Sequence, residues 1–280
     1  TGGIPHYLRQ LDPERSLAWN IAHHVLRRGG VLYQDAELVM REELRDPRVY
    51  FSILRAIDAG CTTNNEIEQR VHGPNTRTHL TAYLDTLSAL GFVARRTPVV
   101  GGVRRSVWSI ADPYLRFWFK FILPNRSLLD RDADLDRVYQ SIIAPFFDEF
   151  VSKPTFEDVC REWVRRQVDD GELPAADAVG AWWGPVASPR PDNPRYREER
   201  EIEIVASRRG RVILAGEAKW TTAPVDFPTL NHLRDVLTHV PGADRETKVI
   251  LFGRRFSERL NLAAATENVR LVGPSELFGS

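Results

Sequence analysis

The chain has little cysteine and no charge excess of either sign. Its 280 residues hold two cysteines, Cys61 and Cys160, one methionine, and 38 basic against 38 acidic side chains. Two cysteines in a chain this long make no disulfide framework, and no Cys-x-x-Cys pair exists to start a zinc site. A reducing, cytoplasmic compartment is the expectation. A net charge of zero excludes a globally basic surface, so any nucleic-acid site must be a local patch. No run of about 20 apolar residues occurs, and the most apolar stretch, Tyr114 to Leu123, is interrupted by Arg116 and Lys120. Neither a transmembrane helix nor a signal peptide is expected. The first residue is Thr1 rather than Met, as in the tail of a longer polypeptide.

What is present changes character along the chain. Residues 1–46 read as helical, with Asp12 as N-cap, Pro13 in the first turn and Gly29-Gly30 as the stop. Tyr50, Ile53, Leu54 and Ile57 then fall on one helical face stopped by Gly60. A Thr three residues before Glu66 makes a capping box for a second helix, and Gly73-Pro74-Asn75 a tight turn. A third helix begins at Thr76, with Leu80, Leu84, Leu87 and Leu90 inward. Two short β-type runs around a Gly-Gly turn follow, ending at Ile110. Three helices and a basic hairpin over 47–111 predict a winged helix-turn-helix. In such a fold Arg77, Thr78, His79 and Thr81 start the recognition helix, and Arg95, Arg96, Arg104 and Arg105 line the wing. These residues suit DNA backbone and groove contacts, while protein contact is the other use of the fold.

Residues 112–153 form an aromatic-rich helical connector, where Tyr114, Phe117, Trp118, Phe119 and Phe121 suit interdomain core packing or, less simply, base stacking. From residue 154 to 280 the pattern is α/β in the order α-β-β-β-α-β. Strands are expected at Val179 to Trp183, Glu201 to Ala206 and Val212 to Lys219, with a Pro-rich loop from Pro185 to Arg200 and a turn at Arg208-Arg209-Gly210. A mixed sheet follows, and the whole chain is a multi-domain α+β protein.

Chemistry concentrates in the last segment. Glu201 and Glu203, spaced by two, are expected on one strand face, as are Glu217 and Lys219 on the next strand. A hairpin can bring Glu203 and Glu217 into one site at a solvent-reachable sheet edge. With the Ala218 carbonyl, these carboxylates offer hard oxygen donors to Mg²⁺. Lys219 can then stabilise phosphate charge or orient water, and Glu157 on the preceding helix adds a carboxylate. The same residues also fit a half-exposed strand with a surface ion-pair strip. His23-His24 diverge on a helix and make a poor metal site.

Glu203 followed by Glu217-Ala218-Lys219 resembles the Asp...(Asp/Glu)-x-Lys signature of PD-(D/E)XK nucleases, with Glu157 matching the acid of their first helix. Glu203 stands where that signature usually carries Asp. Further strings are Gly2-Gly3-Ile4-Pro5 with Tyr7-Leu8, Asp112-Pro113-Tyr114-Leu115-Arg116-Phe117-Trp118-Phe119, Phe156-Glu157-Asp158-Val159-Cys160, Trp182-Trp183-Gly184 and Gly216-Glu217-Ala218-Lys219-Trp220. Together they are similar to archaeal-type P-loop ATPases with a C-terminal nuclease-like domain of unknown function. The resemblance implies an AAA-like ATPase domain upstream, with residues 1–46 as its lid. No Gly-x-x-x-x-Gly-Lys-Ser/Thr string occurs, so ATP would bind only through that domain. The expected partners are DNA and the chain's own ATPase domain. A homo-oligomer is left open, as is a catalytically inactive regulatory or protein-interaction module.

Overall fold

The computed structural model describes residues 2–44, 46–71, 76–102, 106–131, 134–188, 190, 192–193 and 195–279. The chain divides into two compact units, one of Thr1–Arg96 with Ser106–Phe147, the other of Thr97–Arg105 with Asp148–Ser280.

The first unit opens with α1 (Pro5–Leu8), α2 (Leu17–Asn20), a π-helical turn over Ile21–Val25, and α3 (Val31–Glu43). Asp12 is not the N-cap: Ser16 is, its hydroxyl accepting from the Trp19 N–H at 3.2 Å. The reason is the buried amide of Asn20, which accepts from the Asp12 N–H at 2.6 Å and donates to the carbonyls of Asp12, Arg15 and Ser16. Those bonds hold residues 12–16 as a loop. Gly29 then takes a φ of +78°, open to a glycine at no steric cost, and separates the π turn from α3.

Three helices follow: α4 (Pro47–Asp58), α5 (Asn64–Arg70) and α6 (Thr76–Ala89). Tyr50, Ile53, Leu54 and Ile57 are buried on α4, and Leu80, Leu84 and Leu87 on α6. The capping box of α5 forms as expected. The Thr63 hydroxyl accepts from the Glu66 N–H at 3.3 Å, and Glu66 accepts from the N–H groups of Thr62 and Thr63, each at 2.9 Å. The expected turn at Gly73-Pro74-Asn75 lies outside the described residues.

Two short strands, β1 (Val93–Arg96) and β2 (Val107–Ile110), pair antiparallel from Val93↔Ile110 to Arg96↔Val107. Trp108 ties β2 to the start of α5, its main-chain N–H donating to the Thr62 carbonyl and its indole N–H to Asn64, both at 2.7 Å. The strands are not joined by a tight Gly-Gly turn. The intervening segment Thr97–Arg105 belongs to the second unit, where Val100 is buried with Trp182 and the Val99 N–H donates to the Ala181 carbonyl at 2.9 Å.

The aromatic segment starts at α7 (Pro113–Phe117), capped by Asp112, and continues as a π turn over Trp118–Ile122. Its rings are core of the first unit. Tyr114 donates to the Leu32 carbonyl at 2.7 Å, Trp118 to the Tyr33 carbonyl at 3.0 Å, and Phe51 packs on Trp118 and Phe119. After α8 (Arg126–Leu129) and α9 (Leu135–Val138) the chain passes into the second unit within α10 (Ala144–Phe150).

The second unit runs α11 (Glu157–Asp169), β3 (Ala178–Ala187), β4 (Arg197–Arg208), β5 (Arg211–Lys219), α12 (Phe227–Leu237), β6 (Lys248–Gly253), α13 (Glu258–Ala263), β7 (Val269–Val272) and α14 (Pro274–Phe278). The five strands lie in sequence order, the first two pairings antiparallel and the last two parallel, which is a mixed sheet. Arg209 at φ +51° and Gly210 at φ +78° turn β4 into β5, the two positive φ values a two-residue hairpin loop needs. One sheet face packs Leu230, Leu233 and Val236 of α12 on Val205, Ala215 and Leu251. The other packs Phe156, Cys160 and Val164 on Ile204, Leu214 and Phe252. The loop expected from Pro185 to Arg200 is partly strand, since Pro185↔Glu199, Val186↔Glu198 and Ala187↔Arg197 pair. Pro185 is tolerated there because β3 is an edge strand. Among the described residues no helix is long and apolar enough to cross a membrane.

Candidate functional site

Regular alternation places residues two apart on one strand face, and β4 departs from it. Trp182 pairs with Ile202 but Gly180 with Val205, so Glu203 and Ile204 together oppose Ala181. This β-bulge sends Ile202 and Ile204 into opposite cores, although they are spaced by two. Glu201 and Glu203 differ in burial. Glu201 is exposed, with Lys153 at 4.0 Å, while Glu203 is buried.

Pairing of β4 with β5 ends at Ile204↔Gly216, and the side chains close the gap beyond it. Glu203 Oε2 accepts from the main-chain N–H of Ala218 at 2.6 Å. Lys219 Nζ donates to Glu203 Oε1 at 3.1 Å and to Glu217 Oε1 at 2.5 Å. Glu203, Glu217 and Lys219 thus share one site, and Glu157 on α11 reaches its edge. Arg161, one helical turn after Glu157, lies 3.5 Å from it, bonds Asp158 at 2.7 Å, and donates through Nη1 to the main-chain carbonyl of Glu203 at 2.5 Å.

The expected solvent-reachable edge is instead a nearly closed site. Glu157, Glu203 and Glu217 are 3%, 3% and 6% exposed, and Arg161 3%. The Lys219 side chain, at 32%, is its opening to solvent. Burial, then the charge of Glu203, pushes the Glu157 carboxyl up to about 7 against the opposing Arg161. Burial and the same neighbour raise Glu217, with Lys219 opposing. Burial on its own lowers Lys219, but the two carboxylates together outweigh it and the ammonium is held above its ordinary range. Burial also raises the Cys160 thiol, so Cys160 is no thiolate nucleophile.

Among the described residues no three His, Cys, Asp or Glu converge closely enough to form a metal cluster. The donors brought together at the hairpin are the carboxylates of Glu203 and Glu217. Hard oxygens of this number suit a Mg²⁺ that keeps several of its waters. The Lys219 ammonium already sits between the two carboxylates, where a bridging cation would sit, and a long, partly exposed side chain can withdraw from it. The residues therefore fit such an ion.

The residues expected to meet DNA stand on two other elements. Thr81 is exposed on α6, Arg95 is exposed on β1 with its Nε donating to Ser106 at 2.8 Å, and Arg96 is half-buried. The side chains of Arg77 and Thr78, and all of Arg104 and Arg105, lie outside the described residues. His79 is exposed. His23 stacks on Trp19 at 4.4 Å, and its Nδ1 lies 3.0 Å from the Trp19 carbonyl oxygen. Sequence reasoning missed Arg161 and Lys153. The Glu157-x-x-x-Arg161 spacing was the signal for the first.

Residues 118–230, which include Glu157, Glu203, Glu217 and Lys219, match the family model DUF234, described as archaea bacterial proteins of unknown function. An uncharacterized protein of Methanocaldococcus jannaschii, MJECL04, is 26% identical over 224 residues, covering 78% of this chain and 46% of its own length. The chain thus spans about half the length of that curated relative. The crystal structure of protein VC1899 from Vibrio cholerae aligns with 86% of this chain and 52% of its own at 13% identity and a TM-score of 0.33. Residues 118–230 are therefore similar to a domain of unknown function found in archaeal and bacterial proteins.

Proposed function

We propose that this chain is the DNA-interacting C-terminal portion of a prokaryotic P-loop ATPase, with a winged helix in its first unit and a PD-(D/E)XK-type, Mg²⁺-dependent phosphodiesterase site in its second. The observation that carries the reading is Lys219 Nζ bound to both Glu203 and Glu217 where the antiparallel pair β4–β5 splays, beside the parallel strand β6. Helix α11, delivering Glu157 to the same place, supports it. For the first unit, support comes from α4, α5 and α6 followed by the β1–β2 hairpin, and from Trp108 of β2 bonded to Thr62 just before α5. The proposed DNA contacts are Arg77, Thr78, Thr81, Arg95 and Arg96 of this unit, with Arg104 and Arg105 of the segment that links the two strands.

In the second unit Glu203 and Glu217 would hold Mg²⁺. Bound there, the ion supplies polarisation of a phosphate oxygen and a water of lowered pKa. Lys219, freed from the carboxylates, is placed to neutralise charge on the phosphate. Glu157, raised to about 7, can exchange a proton near neutral pH. ATP would be bound only by a domain upstream of Thr1.

A second reading has its own observation. Both Glu203 oxygens are already engaged, by Ala218 and Lys219, in a site nearly closed to solvent. That is also how an inactive, self-neutralised site in a regulatory or protein-interaction module is built. Cleavage of supercoiled plasmid with Mg²⁺ by the wild type and by Lys219→Ala separates the two. The nuclease reading expects activity in the wild type and a fall of at least about a hundredfold in the variant. Equal rates remove Lys219 from the mechanism, and no cleavage by either favours the inactive module.

A further inference from the structure

The mouth of the carboxylate site is built from residues that the catalytic reading does not use. Strands β5 and β6 run parallel with Lys219 paired to Gly253, so the next residues of each, Trp220 and Arg254, emerge side by side past the strand ends. The crevice outside the carboxyl ends of parallel strands is where open α/β sheets bind ligands. The Arg254 guanidinium lies 5.0 Å from the Trp220 ring centroid. From the core side Phe156 holds the indole at a centroid distance of 4.9 Å, and the Trp220 main-chain N–H reaches Ser152 Oγ at 3.4 Å. Arg254 is 39% exposed, with Asp148 at 3.8 Å as a loose partner.

Lys153 completes the rim. It follows Ser152, is 61% exposed, and lies 4.0 Å from Glu201. The residue before it, Ser152, is the one that meets the Trp220 main chain, so the backbone carries Lys153 past the same strand end. A half-buried indole carrying an exposed guanidinium, with Lys153 on the segment that bonds its main chain, puts an aromatic ring and two cations at the ends of these strands. That is the combination that grips single-stranded polynucleotide. A duplex keeps its base faces inside the stack and can use only the cations.

We propose that Trp220, Arg254 and Lys153 form a platform for an unpaired nucleic-acid strand at the entrance to the Glu203–Glu217–Lys219 site. The proposal rests on reading that site as acting on nucleic acid and adds the strand state of its substrate. Binding of an unpaired strand here leaves the winged helix to meet duplex.

The test is fluorescence anisotropy of a labelled oligothymidylate of about 20 nucleotides, and of a duplex of equal length, titrated with the full chain in EDTA. Both are expected to bind, the single strand at the platform and the duplex through the winged helix. Trp220→Leu should weaken single-strand binding by about tenfold and leave duplex binding in place. Arg254→Ala and Lys153→Ala, both at exposed positions, should each lower the slope of log affinity against log salt by about one unit. Trp220→Phe, which keeps an aromatic face, should retain most of the single-strand affinity and guards against loss of fold. Trp220→Leu and Arg254→Ala both at wild-type affinity for the single strand overturn the proposal. Cleavage with Mg²⁺ is scored separately on the wild type. Trp220-dependent single-strand binding without cleavage defeats the catalytic reading and upholds the platform, whereas cleavage with single-strand binding indifferent to Trp220 does the reverse.

Discussion

Arg161 donates to the main-chain carbonyl of Glu203 at 2.5 Å, across from helix α11 to the bulged strand β4. The same guanidinium faces Glu157 at 3.5 Å. One buried cation therefore ties the helix to the strand at the place where three carboxylates crowd, and it offsets part of their mutual repulsion. Removing it would leave a buried carboxylate and a buried carbonyl without their donor. Arg161→Met should destabilise the second unit by about 3–5 kcal/mol, read from a denaturant melt. Arg161→Lys should rescue only in part, since one ammonium cannot reproduce the planar fork that spans carbonyl and carboxylate. Full stability in Arg161→Met would show that the cluster holds its geometry without it.

Glu157 links the site to pH. Its carboxyl is raised to about 7 by burial and by Glu203, so between its unfolded value and about 7 the folded chain binds more protons than the unfolded chain. Stability from this group is complete below the unfolded value and is lost as pH rises through about 7. Glu217, raised for the same reason, acts in the same direction. Lys219, raised too, contributes stability that is lost only at alkaline pH. Unfolding free energy should therefore fall as pH rises from about 4.5 to about 7. Glu157→Gln should flatten part of that slope and stabilise at pH 8 by up to about 3 kcal/mol. A slope unchanged by the substitution would mean that Glu157 ionises freely in the folded state.

The turn region of the sheet carries a steric constraint. Gly242 has a φ of +82°, and a Cβ there would overlap the Gly210 carbonyl oxygen. Its own carbonyl accepts from the Val212 N–H at 2.8 Å, so the backbone cannot move away without losing that bond. Gly242→Ala should lower the stability of the second unit by about 2–4 kcal/mol through strain and overlap. A change below about 0.5 kcal/mol would show that the 240–243 loop relaxes freely.

Much of this architecture was legible because it rests on local rules. Tyr50, Ile53, Leu54 and Ile57 share a helical face by spacing alone, and all are buried. The Thr63–Glu66 capping box needs no tertiary information. Arg209-Gly210 announces its turn through the chemistry of positive φ, and Glu217-x-Lys219 shares a strand face by period. What stayed hidden depends on partners distant in sequence. The bulge at Glu203–Ile204 exists because Ala181, some twenty residues earlier, opposes both, and no pattern within β4 reports it. Ser16 replaces Asp12 as helix cap because Asn20 holds the loop between them. Strand β3 runs on through Pro185 because an edge strand tolerates proline, which composition alone marks as loop. The closure of the site likewise comes from α11 lying across it with Arg161, a packing fact that no spacing rule contains.

For Glu203 and Glu217 to hold a divalent cation, as proposed, Lys219 must withdraw from between them. Titration calorimetry of Mg²⁺ or Mn²⁺ into the full chain near pH 8, repeated with Glu217→Gln, tests it directly. Saturable binding at one site is expected in the wild type, and its loss in Glu217→Gln. Absence of saturable binding in the wild type, or binding that Glu217→Gln leaves intact, would contradict it.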